Sequence, residues 1–219
     1  MIKIVVFDCT YGGELFADQL KQEYPFIEII RVIDWRNSNE IMSSPRMARK
    51  CAAKALEPYI GKVDLIILAN HLLSITSLKY FRQKYNNQKF IGFNLKKPDT
   101  FADREIIILT TKAITRTINY HYFIMRIKRK TRTLILDHWV NKIDEGAFHA
   151  AELRAEFNKY NVSSSGKTTE LILANSVFND LKPILKECYS RNLKIHDSFS
   201  DAIRETCKVL GIRGGAKRR

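Results

Sequence analysis

The chain has few of the features that mark metal-binding, exported or membrane-spanning proteins. Only four of its 219 residues are cysteines, and because none of them form a CxxC pair the sequence predicts neither a zinc cluster nor a disulfide framework. No apolar run approaches the roughly 18 residues of a membrane-spanning helix, and residues 1–7 lack the pattern of a secretory signal. We therefore expect a cytoplasmic protein with reduced thiols, no metal site and no membrane partner.

Acidic residues are also scarce. The chain has 23 Asp and Glu against 37 Lys and Arg, which gives a formal net charge of +14 and predicts attraction to an anionic partner. Hydrophobic residues make up 45% of the chain and charged residues 27%, close to the average of soluble globular proteins, so wholesale disorder is excluded. The length suits one large domain or two small ones.

The positive charge is concentrated in one segment and in the carboxyl-terminal tail. No Asp or Glu occurs between Ile106 and Leu136, and an aromatic stretch at 120–123 precedes a cluster of cations there. The candidate polyanion-binding residues are Arg126, Lys128, Arg129, Lys130 and Arg132, with Lys217, Arg218 and Arg219 in the tail. Aromatic rings beside guanidinium groups suit stacked bases, so nucleic acid or an acidic protein is one predicted partner. The alternative interpretation is that Tyr122 and Phe123 pack in the core while the cations are merely solvated.

Apolar runs alternate along the chain with segments of helical spacing. Eight short runs rich in Ile, Val and Leu predict buried strands, at 2–7, 26–33, 63–69, 90–93, 105–110, 134–137, 171–174 and 193–196. Between several of them, apolar residues recur at three- and four-residue spacing and predict helices, at 15–22, 46–56, 113–125 and 181–189. This order predicts an α/β protein with mainly parallel sheets, whose ligands lie beyond the carboxyl ends of the strands.

One strand sequence occurs twice. Leu65–Asn70 reads LIILAN, and Leu171–Asn175 reads LILAN. Each copy ends in a small residue and then Asn, and each is followed by a predicted helix. The repetition predicts that Asn70 and Asn175 stand at the ends of equivalent strands, whereas the alternative is a chance likeness between two buried Leu/Ile strands.

Five segments, in chain order, match motifs of one enzyme family. Val5–Gly13 resembles an F-D-S-G-x-G-G signature, and Ile66–Ser74 resembles an A-C-N-T strand end. The stretch 110–120 is similar to A-T-x-G-T-V-x-S-x-x-Y, Leu171–Pro183 to L-V-L-G-C-T-H-Y-P-x-L-x-P, and 196–198 to a late I-D-S. Through these motifs the chain resembles the bacterial glutamate racemases of the aspartate/glutamate racemase superfamily.

The resemblance implies two pseudo-twofold-related α/β subdomains with an interdomain cleft that holds the active site. Subdomain 1 would cover residues 1–97, with 193–219 returning to it, and subdomain 2 would cover 98–192. The family uses no cofactor, and its members often dimerise, so we expect no cofactor here and keep a homodimer open. The ligand implied by the resemblance is a small carboxylate or an amino acid.

Racemisation without a cofactor needs two opposed bases, and in this family two cysteine thiols supply them. The resemblance places Asn70 and Asn175 at the two thiol positions. Sliding the first motif by one residue would place Ala69 there instead, and neither alternative supplies a thiol. An amide does not ionise in the accessible pH range and cannot abstract a proton. We therefore predict a non-racemising binding or regulatory protein.

The remaining polar residues of these motifs predict a ligand-binding set: Asp8, Cys9, Asn70, Thr111, Thr117, Asn175 and Ser176. Alternatively, Asp8, Cys9 or His71 would serve as the acid or base of a cofactor-independent isomerase or lyase of the same superfamily. The structural interpretation is simpler: Asp8 forms an Asx-type turn or a helix cap at a strand end, Cys9 is a small semi-buried filler and His71 begins a helix. In a third hypothesis the protein associates with nucleic acid and the cleft is vestigial.

Overall fold

The computed structural model describes residues 1–95, 105–127, 130–160, 169–189 and 193–212. The chain divides into two compact units: Met1–Asn94 together with the segment that begins at Ser198, and Leu95–Asp197. Each unit is built around its own four-stranded sheet. Within the described ranges, no helix is long and apolar enough to cross a membrane.

Up to Asn94, the first unit contributes four strands and four helices. The strands are β1 (Lys3–Asp8), β2 (Glu28–Ile33), β3 (Leu65–Leu68) and β4 (Phe90–Gly92). The helices are α1 (Gly12–Glu23), α2 (Ser38–Ser43), α3 (Pro45–Leu56) and α4 (His71–Lys84), with 3₁₀ turns at Trp35–Asn37 and Glu57–Tyr59. The strands pair in parallel in the order β2-β1-β3-β4. β1 and β3 are almost entirely buried, which explains their continuous apolar sequences.

The second unit has the same plan. Its strands are β5 (Glu105–Thr110), β6 (Thr131–Ile135), β7 (Thr169–Leu173) and β8 (Leu193–His196). Its helices are α5 (Lys112–Thr115), α6 (Ile118–Ile127), α7 (Asp137–Asp144), α8 (Ala150–Lys159) and α9 (Lys182–Tyr189), with a 3₁₀ helix at Ser176–Leu181. All pairings are again parallel, in the order β6-β5-β7-β8.

The last helix, α10 (Ser198–Leu210), returns to the first unit. Phe199 packs against Phe16 and Phe93, with ring centroids 5.2 and 5.4 Å away. We expected the whole stretch 193–219 to return, but β8 pairs with β7, so 193–197 stay in the second unit. The expected boundary differs because the apolar sequence of a strand does not show which sheet it joins.

Two further elements differ from the sequence expectation. β6 covers 131–135 rather than 134–137, and Asp137 begins α7. The helix expected over 113–125 is interrupted at Thr117, whose hydroxyl accepts the backbone N–H of Tyr120 at 3.2 Å as α6 begins. Apolar spacing continues through this break, so periodicity alone does not reveal it.

The repeated sequence lies at equivalent places in the two sheets. The last residues of β3 and β7 pair with Phe7 and Leu109, and the alanine after each strand donates its N–H to that residue's carbonyl, at 2.7 and 2.8 Å. The repeated strand sequence is therefore a structural repeat. It brings Asn70 and Asn175 to the same position within their respective units.

Helix α1 begins close against the end of β1. A Cβ added at Gly13 would lie 2.5 Å from the Cβ of Asp8 and 2.8 Å from Cδ1 of Ile33, which is closer than real Cβ contacts.

We expect Gly13→Ala to destabilise the protein by about 1 to 3 kcal/mol through overpacking, despite the better helix propensity of alanine. Urea denaturation measures this loss, and a midpoint at or above that of the unmodified protein would contradict it.

Candidate functional site

The carboxyl ends of β1 and β3 bring together four residues that we call the first tip: Asp8, Cys9, Asn70 and His71. Neighbouring parallel strands end at the same edge of a sheet, which is where α/β proteins bind ligands. Nδ2 of Asn70 lies 3.1 Å from Oδ1 of Asp8 and 3.4 Å from Sγ of Cys9. An amide, a carboxyl group and a thiol thus meet at one buried point.

The other end of the Asn70 side chain begins α4. Its Oδ1 accepts the backbone N–H of Leu73 at 2.9 Å, and its extended backbone (φ −98°, ψ 122°) is that of a helix N-cap. The side chain of Asn70 is therefore held at both of its polar atoms: Nδ2 donates to residues at the end of β1, and Oδ1 accepts from α4. It acts as a fixed hydrogen-bonding link between two elements and carries no titratable proton.

Asp8 and Cys9 are both fully buried. Oδ1 of Asp8 accepts the N–H of Cys9 at 2.6 Å, a local contact of the kind that the structural interpretation expects. Cys9 packs in the core cluster that includes Phe7 and Ile41. Both side chains therefore have structural roles while remaining in contact with Asn70.

His71 is the first residue of α4 and is buried. Its Nε2 lies 2.8 Å from Oγ of Ser198, and its ring meets that of Phe93 edge-on, with centroids 5.2 Å apart. The imidazole thus links the beginning of α4 to the beginning of α10. Ser198 was missed among the candidate site residues, although it stands in the stretch 196–198 that is similar to I-D-S.

The ends of β5 and β7 form the equivalent second tip, which consists of Thr110, Thr111, Asn175 and Ser176. All four residues are buried. Oδ1 of Asn175 accepts the N–H of Val177 at 3.2 Å and caps the following 3₁₀ helix. The side chains of the second tip are hydroxyls and an amide, so none of them ionises near neutral pH. The first ionisable side chain after Asn175 is Asp180, and burial raises its pKa.

The hydroxyls of Thr110 and Thr111 are buried and have no hydrogen-bond partner among the described residues. A buried polar group without a partner costs about 1 to 3 kcal/mol, so neighbouring unsatisfied hydroxyls call for an explanation. They lie at the carboxyl end of β5, the edge at which parallel sheets bind ligands. A polar ligand bound at this edge would provide a hydrogen-bond partner there.

No protein-family model and no curated protein matches the chain in sequence. Solved structures match nearly all of it. Glutamate racemase from Escherichia coli, solved with L-glutamate and the activator UDP-MurNAc-ala, aligns with a TM-score of 0.80 at 17% identity, covering 98% of this chain and 84% of that one. Glutamate racemase from Campylobacter jejuni gives 0.74 at 23% identity, covering 94% and 85%. The chain has the fold of these glutamate racemases.

Allantoin racemase from Pseudomonas fluorescens matches the same fold, with a TM-score of 0.58, 13% identity and coverage of 99% of this chain and 95% of that one. At these identities the likeness establishes the racemase fold and not the chemistry of the tips. It confirms the fold resemblance inferred from the motifs and the α/β class with parallel sheets. That Asn70 and Asn175 stand at the family's thiol positions stays a prediction.

Within the described part of this racemase fold, no three His, Cys, Asp or Glu side chains group to hold a metal ion.

Thr117, the remaining residue of the predicted ligand set, serves the helix that follows it. Its Oγ1 donates to the carbonyl of Ile114 at 2.8 Å and accepts the N–H of Tyr120 at 3.2 Å. The hydroxyl is therefore engaged where α6 begins. Its contacts give no support to the ligand role expected for it.

The basic segment of this racemase fold is partly described. Lys128, Arg129, Lys217, Arg218 and Arg219 lie outside the described residues. Arg126 and Lys130 are exposed, whereas Arg132 on β6 is half-buried and donates to the carbonyl of Tyr160 at 2.6 Å. Arg132 therefore contacts its own unit, and the polyanion-binding role expected for it stays a prediction.

The aromatic stretch before the basic segment divides between core and surface. Phe123 is buried, as the structural interpretation predicts, and so is Tyr120. Burial raises the pKa of Tyr120, whose hydroxyl hydrogen-bonds that of Thr133 at 2.6 Å. Tyr122 is 57% exposed, so the core position considered for it is wrong.

Proposed function

We propose that the protein binds a small carboxylate or amino acid at the strand ends of its racemase fold and does not racemise it. The observation that carries this proposal is the pair Asn70 and Asn175, the same residue at the same position of two equivalent sheets. A racemase removes a proton from one face of the α-carbon and returns one to the other, so each side needs an ionising group. The amides of Asn70 and Asn175 each offer hydrogen bonds and no proton transfer.

The second tip supports a carboxylate as the bound group. An ionised carboxylate has only acceptor oxygens, while the hydroxyls of Thr110 and Thr111 and the amide of Asn175 carry donor hydrogens. Binding would give a buried hydroxyl at this strand end a partner that the described residues do not provide. The Escherichia coli glutamate racemase was solved with L-glutamate, so the enantiomers of glutamate are the first ligands to test.

A second candidate is a cofactor-independent isomerase or lyase that uses the first tip. Asn70 brings the carboxyl group of Asp8 and the thiol of Cys9 to one point. One acid–base site is enough for elimination or proton exchange, but inversion of an α-carbon held in one orientation needs a second. Oδ1 of Asp8 already accepts hydrogen bonds from the Cys9 N–H and from Asn70, and this engagement favours the binding function over the enzymatic one.

Proton exchange separates the two candidates. We expect purified protein in deuterated water to leave every α-proton of L- and D-glutamate and L- and D-aspartate in place, because an amide at each tip cannot remove one. Proton NMR measures this as the intensity of the α-proton signal of each amino acid over time. Exchange without inversion, or release of an unsaturated acid, would favour the isomerase or lyase; exchange with inversion would overturn the proposal.

A melting-temperature series tests binding itself. A ligand at about 100 times its Kd stabilises the folded state by about 2.7 kcal/mol, which raises the Tm of a chain of this size by about 5 to 10 °C. We expect such a rise in Tm with at least one of the four amino acids. Thr111→Val removes only the hydroxyl, which has no described partner to lose, so we expect it to diminish the rise without lowering ligand-free stability.

The control is Thr206→Val in α10, at a buried threonine whose hydroxyl donates to the carbonyl of Ala202 at 2.8 Å. Loss of that hydrogen bond is expected to lower ligand-free stability by about 1 kcal/mol and to keep the ligand-induced rise. No rise with any of the four amino acids, or equal effects of the two variants, would contradict the proposed binding site.

A further inference from the structure

Helix α6 presents an apolar stripe to solvent. Ile118, Tyr122 and Met125 are 68%, 57% and 62% exposed, and spacings of four and three residues place them on one face of the helix. At 1.5 Å per residue the stripe extends about 10 Å. Tyr120 and Phe123, on the other face, are buried and hold the helix to its unit. The stripe is therefore fixed in place and uncovered by the described chain.

The segment that carries the stripe has exposed cations and no acidic residue. Arg126 follows Tyr122 by four residues, so the guanidinium group and the ring are neighbours on the helix surface. The acid-free stretch between Ile106 and Leu136 contains α5, α6 and β6. The nearest acid after it, Asp137, accepts the backbone N–H that begins α5. The exposed described cations of this stretch are Lys112, Arg116, Arg126 and Lys130.

We propose that this surface, formed by Ile118, Tyr122 and Met125 with Arg116 and Arg126 beside them, binds single-stranded nucleic acid. A single strand offers flat apolar base faces and anionic phosphates, which are the two features that an apolar stripe with a cationic border complements. Unpaired bases are required because a duplex keeps its base faces stacked inside. The inference is independent of the ligand proposed for the tips.

Two other occupants fit the surface less well. An acidic protein would match the charge, but one helix of 10 residues presenting three apolar side chains is far smaller than the roughly 800 Å² per partner of a stable protein interface. A second copy of this chain carries the same net charge of +14 and the same acid-free stretch, so the two faces would repel each other. Nucleic acid needs neither a large apolar area nor acidic residues.

Fluorescence anisotropy with labelled single-stranded DNA and RNA of about 20 nucleotides, and with a duplex of equal length, tests the proposal. We expect the single strands to bind more tightly than the duplex. Tyr122→Ala is expected to weaken single-strand binding at least about fivefold, the lower range for loss of a stacking side chain. The matched control is Phe26→Ala, which removes a ring that is 56% exposed on the first unit and is expected to leave the affinity unchanged.

Salt dependence tests the cations. Removing two phosphate contacts with the double variant Arg116→Gln and Arg126→Gln is expected to reduce the slope of log K against log salt by about 1.4, at about 0.7 per contact. Lys54→Gln with Lys62→Gln removes two exposed cations from the first unit and is expected to leave the slope unchanged. No binding at about 50 mM salt, preference for the duplex, an unchanged affinity of Tyr122→Ala, or equal slopes in the two double variants would each overturn the proposal.

Discussion

Asn70→Asp is expected to destabilise the protein strongly at neutral pH. The change replaces an amide Nδ2, which donates to Oδ1 of Asp8 at 3.1 Å, with a second carboxylate oxygen in a buried site. Two like charges would then face each other without a donor between them. The expected loss is about 3 to 5 kcal/mol, the range found when a buried charge loses its partner. Denaturant unfolding at neutral pH measures it.

The loss of folding stability caused by Asn70→Asp is expected to become smaller in mild acid. A proton shared by the two carboxyl groups restores a donor and removes the repulsion, and only the folded state holds the groups close enough to share it. The folded variant therefore binds this proton at a higher pH than the unfolded chain, so its stability rises as the pH falls from neutral towards about 5. Unfolding curves across this range measure the difference from the unmodified protein.

The structural repeat provides the matched control, Asn175→Asp. This residue holds the same position, but its neighbours at the second tip are hydroxyls, and aspartate caps a helix as well as asparagine does. We expect less than half the loss seen at position 70 and a weaker dependence on pH, because no second carboxyl group shares the proton. Equal losses, or equal pH profiles, would contradict the contact between Asn70 and Asp8.

The strands could be predicted from the sequence because a parallel sheet covered on both faces needs continuous apolar segments. The bounds of β5 and β8 are those expected from their apolar runs. The LIILAN and LILAN copies predicted equivalent strand ends, and the register of β3 and β7 against their neighbours bears this out. These features are encoded locally, so a single chain is enough to reveal them.

Features that depend on distant partners could not be predicted in this way. Asn70 and Asp8 are 62 residues apart, so their placement at strand ends was accessible and the hydrogen bond between them was not. Tyr122 and Phe123 are adjacent and both aromatic, yet only Phe123 is buried, because the packing of α6 decides which face is covered. Thr117 shows the same limit, since the sequence did not reveal that its hydroxyl accepts the N–H of Tyr120 where α6 begins.

Phe199→Ala is expected to loosen the first unit and spare the second. The side chain is 2% exposed, and its ring packs on Phe16 and Phe93 in the cluster that also contains residues of β1 and β3. Truncating a buried phenylalanine costs about 3 to 5 kcal/mol. Hydrogen-exchange mass spectrometry should therefore show faster exchange in β1, β3 and α10, and unchanged exchange in β5 and β7.

Phe157→Ala is the counterpart for the second unit. Phe157 on α8 is as deeply buried, and it packs in the cluster of Trp139 and Leu153. The same truncation there is expected to speed exchange in β5 and β7 and to leave β1 and β3 protected. Because both variants remove the same ring, a difference in pattern reports only which core the ring belongs to. If Phe199→Ala instead opened β5 and β7, the assignment of α10 to the first unit would be wrong, and with it the link from His71 to Ser198.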